Sequence, residues 1–188
     1  MRASVQYRAS PISVGRFLPL GIALLFACLK SPHAAEPNAA NAAVGPPAAA
    51  ARGPTLEAAL GAARVALDSC KAKGFAVSVS IVDAAGVPKA LLAGDGAAPR
   101  GVRSSTNKAL TALAFKDSTS RLATRSQTDK TLAEAIAADA NYTTRAGGVV
   151  ITVGGDIIGA IGVGGAHPSE VDESCALSGL ESIKHQLK

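Results

Sequence analysis

Tryptophan is absent from this chain, methionine occurs once, and aromatic residues make up only 3% of its 188 residues. Strong protein-protein hot spots are built around tryptophan and tyrosine, so an interface of that kind has little material here, although self-association through Leu, Val and Ala stays open. Single-stranded nucleic acid is gripped by aromatic platforms set in basic grooves, and this chain has no such combination. Histidine is also scarce, with three in all, so a histidine-rich metal cage is excluded. H-E-x-x-H, C-x-x-C and G-x-S-x-G are all missing, which removes the commonest metalloprotease, redox and hydrolase signatures.

The net charge of +5 belongs mostly to the first residues. Residues 1–35 hold Arg2, Arg8, Arg16 and Lys30 and no carboxylate, so without them the charge is +1. Within that stretch, FLPLGIALLFACL (residues 17–29) is uncharged and apolar. It is short of the roughly 20 residues a spanning helix needs and matches a signal-peptide core, with small residues Ala34 and Ala35 near a cleavage region. Residues 1–35 are therefore expected to be a signal peptide and the mature chain to be periplasmic or secreted, without a transmembrane helix. A lipoprotein anchored through Cys28 is the alternative.

EPNAANAAVGPPAAAARG (36–53) has one large apolar side chain, Val44, and cannot bury enough surface to offset its ordering entropy. It is expected to be a flexible leader, leaving residues 54–188 as the folded domain. Cys70 and Cys175 remain there. Both fall on expected helices, and buried small hydrophobes are the simpler reading, with a disulfide open in an oxidising compartment.

Thr55 can cap a helix in which Leu56, Leu60, Ala63 and Leu67 recur at helical spacing until Gly74. FAVSVSIVD (75–83) alternates and turns through AAG into VPKALLA (87–93), a hairpin. DGAAPRGVRSS (95–105) has loop composition, SSTNKALTALAF (104–115) is helical, and residues 119–138 are helical with an interruption. GVVITV and DIIGAIGV form a second hairpin through Gly154 and Gly155. Ser169 and Asp172 have capping-box spacing before a last amphipathic helix carrying Cys175, Leu177, Leu180, Ile183 and Leu187. Helix, two strands, helices, two strands, helix is the order of an α+β domain with an antiparallel sheet.

Chemistry-bearing groups are few. The glycine run GGDIIGAIGVGGA is neither a dinucleotide fingerprint nor a Walker loop, and close packing at a strand exit explains it. Asp83 and Asp95 end apolar runs at turns, where aspartate ordinarily bonds its own backbone. No catalytic residue is assigned. Arg100, Arg103 and Lys108 lie on the Gly-rich loop and the start of the following helix, where they could serve a carboxylate or other small anion, although a solvated basic edge is the simpler reading of these residues alone. His167, in the loop before the last helix, is a candidate metal ligand, since an axial haem ligand requires only one such side chain.

Taken together, VSVSIVDAAG, DGAAPRGVRSSTNKALTALAF, DSTSRLA and AGGVVITVGGDIIGAIGVGGAHPSEVDESCALSGL resemble the GlcG/HbpS family from about Thr55 to Lys188. The resemblance implies a profilin-like α+β fold, an antiparallel sheet flanked by helices, assembled as a homo-oligomer. It implies haem as cofactor in some members, exported ones among them. The family's K-A-x-T-A helix falls on Lys108, Ala109, Thr111 and Ala112, and the threonine proposed to contact haem iron falls on Thr119. Two positions depart from the pattern: Arg100 stands where many relatives have histidine, and His167, Pro168 and Ser169 replace a Pro-Gly-Gly type loop. The expected function is therefore non-covalent haem binding after export, with C-x-x-C-H missing. A binding protein or enzyme accessory for a small organic carboxylate, and a cofactor-free oligomeric interaction module, are the alternatives.

Overall fold

The computed structural model describes residues 52–187; the expected signal peptide, Cys28 and the leader up to residue 51 lie outside them. Helices α1 (Leu56–Ala72), α2 (Pro99–Phe115), α3 (Thr119–Arg125), α4 (Lys130–Ala137) and α5 (Glu170–Ile183) accompany strands β1 (Ser78–Asp83), β2 (Pro88–Ala93), β3 (Gly148–Val153) and β4 (Asp156–Gly164). Both expected hairpins are present, and they join through antiparallel pairing of β1 with β4, giving the sheet order β2-β1-β4-β3. This is the α+β antiparallel sheet flanked by helices that the element order implies.

Period-two alternation gives each sheet face its own helix layer. Val79, Ile81, Ile161 and Val163 point toward α1 and α5, while Val82 and Ala160 meet Ala109 and Ala112 of α2. Strand β1 is buried along its whole length because helices cover both sides.

Thr55 caps α1 as expected, accepting from Ala58 N (3.2 Å). The buried face of α1 is nevertheless not the leucine stripe. Leu56 and Leu60 are exposed, and Ala58, Ala59, Ala62, Ala63 and Ala66 face the core. Helix α5 presents Gly179 there, and even a methyl group on it would press on the Ala62 carbonyl; an approach this close admits only small residues. The helices are also joined covalently. Cys70 and Cys175 form a disulfide with Cα atoms 5.6 Å apart, not two free buried thiols.

The glycine-rich end of β4 does what its composition suggests. A Cβ on Gly162 would collide with the Ser105 carbonyl and one on Gly164 with the Ser105 amide, so the pair lets α2 lie directly on the strand. Two residues assigned to the leader belong to the domain: Arg52 O accepts from Ala84 N (2.9 Å), and Gly53 packs against Asp83.

Among the described residues no helix is long and apolar enough to cross a membrane.

Candidate functional site

Helix α2 begins about a turn earlier than its composition suggests. Pro99 occupies its first turn, where a missing N–H costs nothing and the fixed φ suits a helix, so Arg100 and Arg103 are helical rather than in a loop. Its first turn holds no acidic residue, and its N-cap, Ala98, supplies no side-chain bond. The amide ends and dipole there favour an anion.

Opposite this helix start, β4 leaves the sheet through Gly164 and Gly165 into Ala166, His167 and Pro168 before α5. The two elements enclose a cleft of about 670 Å³. Arg100 and Ser104 line it from α2, Arg145 from the segment before β3, and His167 and Glu170 from the far side. The first turn of α2 carrying Arg100 and the loop carrying His167 thus converge. His167 is exposed, and among the described residues its ring takes part in no side-chain hydrogen bond with the protein. Two roomier concavities, of about 710 and 770 Å³, contain neither histidine nor arginine.

Lys108 and Asp172 form the floor. Lys108 Nζ donates to Asp172 Oδ2 (2.6 Å) and to the Val163 carbonyl (2.9 Å), and Asp172 Oδ1 accepts from Ala166 N (3.0 Å). Both side chains are almost fully buried. Burial pushes the Lys108 ammonium below its ordinary pKa and the Asp172 carboxyl above its own, and their mutual hydrogen bond and attraction oppose both shifts. The capping box expected at Ser169 does not form: Ser169 has helical φ and ψ and makes no cap bond, and the Asp172 carboxylate that would complete the box is turned inward to Lys108.

Other expected site residues are placed elsewhere. Arg103 is exposed on α2 and does not line the cleft. Thr111 is buried, donating to Asn107 O (2.7 Å) and accepting from Thr143 N (3.0 Å), which pins the segment before β3 onto α2. Thr119 is fully buried and its Oγ1 accepts from Gly148 N (2.9 Å), so in this chain it secures the start of β3 rather than facing a cleft. Asp83 acts within its turn, accepting from Ala85 N (2.9 Å) and Val87 N (3.0 Å).

Arg145 was not singled out from sequence. It lies in TTRAGG, which carries no motif, and only the pairing of β3 with β4 brings it beside the cleft. Among the described residues no three His, Cys, Asp or Glu side chains could hold a metal ion together; haem iron, already held by its macrocycle, requires only one protein side chain. The residues present fit such a group in part: a free imidazole, two guanidiniums for propionates and enough room for one edge. The apolar wall is small, consisting chiefly of Ala166 and Pro168.

A family model described as "Haem degrading protein HbpS-like" matches residues 55–181. The crystal structure of a double mutant of Streptomyces reticuli HbpS is 35% identical, covers 80% of this chain and 98% of that one, and has a TM-score of 0.65. A Klebsiella pneumoniae protein, ORFY, is 24% identical over 74% of this chain and 96% of that one, with a TM-score of 0.66. The structure of a PduOC:heme complex is 24% identical over 70% of this chain and 95% of that one, with a TM-score of 0.64. At that identity the last two bear on fold alone. No curated protein matches the chain.

Proposed function

Because the chain belongs to the HbpS-like family, we propose that it is an exported protein that binds haem without covalent attachment, in the cleft between the start of α2 and the loop before α5. The observation carrying this reading is the exposed His167 imidazole in one cleft with Arg100 and Arg145. Imidazole is a common axial ligand of haem iron, and guanidiniums pair bidentately with carboxylates such as propionates. His167 would hold the iron, and Arg100 and Arg145 would hold the propionates. Lys108 lies beneath them, its ammonium already donating to Asp172 and Val163. When bound, haem supplies a redox-active iron; the chain's own groups orient it and neutralise its acid edge.

The Cys70–Cys175 disulfide supports export, since such bonds persist in oxidising compartments. The small apolar wall supports a homo-oligomer: ligand sites are mostly apolar, so a macrocycle held by these residues leaves a face for a second copy to cover.

Titration of the full chain with hemin is expected to give a Soret shift that saturates at about one haem per chain or per pair of chains, as a discrete site requires. Gradual absorbance without saturation would overturn the reading. The polar character of the cleft favours a second reading, a small organic carboxylate held by Arg100 and Arg145. Thermal stabilisation by such acids without a hemin response would select it.

A further inference from the structure

The cleft accounts for His167 but not for the buried charges beneath it. An ion pair taken out of water is a poor stabiliser compared with apolar side chains of similar size, and pairs of this kind are best understood where they fix position. The contacts of Lys108 and Asp172 show what they fix. Lys108 Nζ holds the Val163 carbonyl at the end of β4, and Asp172 Oδ1 holds the Ala166 amide immediately before His167. Gly164 and Gly165 lie between those two anchor points. Neither has a side chain to pack, and Gly165 has φ of +136°, open to glycine at little cost. Beyond His167, Ser169 makes no capping bond.

We propose that Asp172 is a positioning residue, a buried latch that ties the Ala166 end of the glycine exit to α5 and so sets His167 at the mouth of the cleft, with Lys108 balancing its charge. The consequence for ligand binding rests on the reading of the cleft given above; the latch itself does not.

Two double substitutions separate the latch from its charge. Lys108→Met/Asp172→Asn removes both charges yet keeps an oxygen able to accept from Ala166 N, whereas Lys108→Met/Asp172→Leu has none. Hydrogen exchange followed by NMR on the full chain without hemin is the first readout. In the Leu variant the Ala166 amide is expected to exchange at least about 10-fold faster while Val79 in β1 is unchanged; in the Asn variant Ala166 stays within about 3-fold of wild type. Wild-type exchange at Ala166 in a folded Leu variant overturns the latch. The unsubstituted chain provides a check that needs no variant to fold: Ala166 there should be protected like the β4 amides, and exchange at an unstructured rate also overturns it.

The second readout is the ferric spectrum with hemin. The Leu variant should match His167→Ala, and added imidazole should return both to the wild-type spectrum, while the Asn variant needs no rescue. A wild-type spectrum from the Leu variant, beside an altered one from His167→Ala, contradicts the positioning role. If wild type itself shows no saturable hemin response, the haem reading fails and the exchange data alone decide the latch.

Discussion

Lys108 Nζ and Asp172 Oδ2 lie 2.6 Å apart with almost no exposed surface on either side chain. Removing one partner leaves the other buried without its counter-charge, so in Lys108→Met the Asp172 carboxyl should hold its proton to higher pH than in wild type, and in Asp172→Asn the Lys108 ammonium should lose its proton at lower pH. The double substitution orphans no charge and should be at least as stable as either single variant. Urea unfolding of the three variants at neutral pH checks this, and a double variant less stable than both singles would contradict it.

The pKa directions give the same pair a pH signature. Asp172 titrates above its ordinary 3.8 in the folded chain, so as pH falls toward that value the folded state takes up the proton first and stability rises. Lys108 titrates below its ordinary 10.5, so as pH rises toward that value the folded state releases the proton first and stability rises again. Wild type should therefore be least stable, relative to Lys108→Met/Asp172→Asn, at intermediate pH. Parallel unfolding series measure the difference, and a maximum at intermediate pH would contradict the sign.

The disulfide links α1 to α5 across a sequence separation of 105. Closing so long a loop restricts the unfolded chain, and Cys70→Ala/Cys175→Ala should lose about 2–5 kcal/mol. A reductant should lower the melting temperature of wild type but not of the double variant.

Gly162 marks where α2 rests on β4. A methyl group there meets the Ser105 carbonyl, which is backbone and cannot rotate aside. Gly162→Ala should lose about 1–3 kcal/mol or more, the range for overpacking. Gly154→Ala, at an open turn position with φ of +58°, should lose less, since strain but no collision opposes it. Chemical denaturation of the two variants orders them.

Periodicity and turn chemistry made both hairpins, the last helix and the α+β class legible, because alternation in FAVSVSIVD and the Gly154–Gly155 turn are local signals. What failed was non-local. Leu56 and Leu60 are the larger apolar groups of α1, yet the alanine face is buried because Gly179, more than a hundred residues away, sets the helix separation. The Ser169–Asp172 spacing suggested a cap, and Lys108 of α2 claimed the aspartate instead. Arg100 and His167 were visible as side chains of the right chemistry, but only the β1–β4 pairing and the α2–β4 packing bring the start of α2 and the His167 loop to one cleft. Thr119, carried over by family resemblance, is occupied by Gly148 N in a way its sequence context does not reveal.

The central claim is that His167 meets the iron. Pulsed EPR of the ferric hemin complex, prepared with 15N-histidine, reads it directly, because the chain holds only His33, His167 and His185. Nitrogen coupling from imidazole is predicted in wild type and in His185→Ala, and its loss in His167→Ala. Coupling that persists in His167→Ala, or is absent from wild type, would contradict the account.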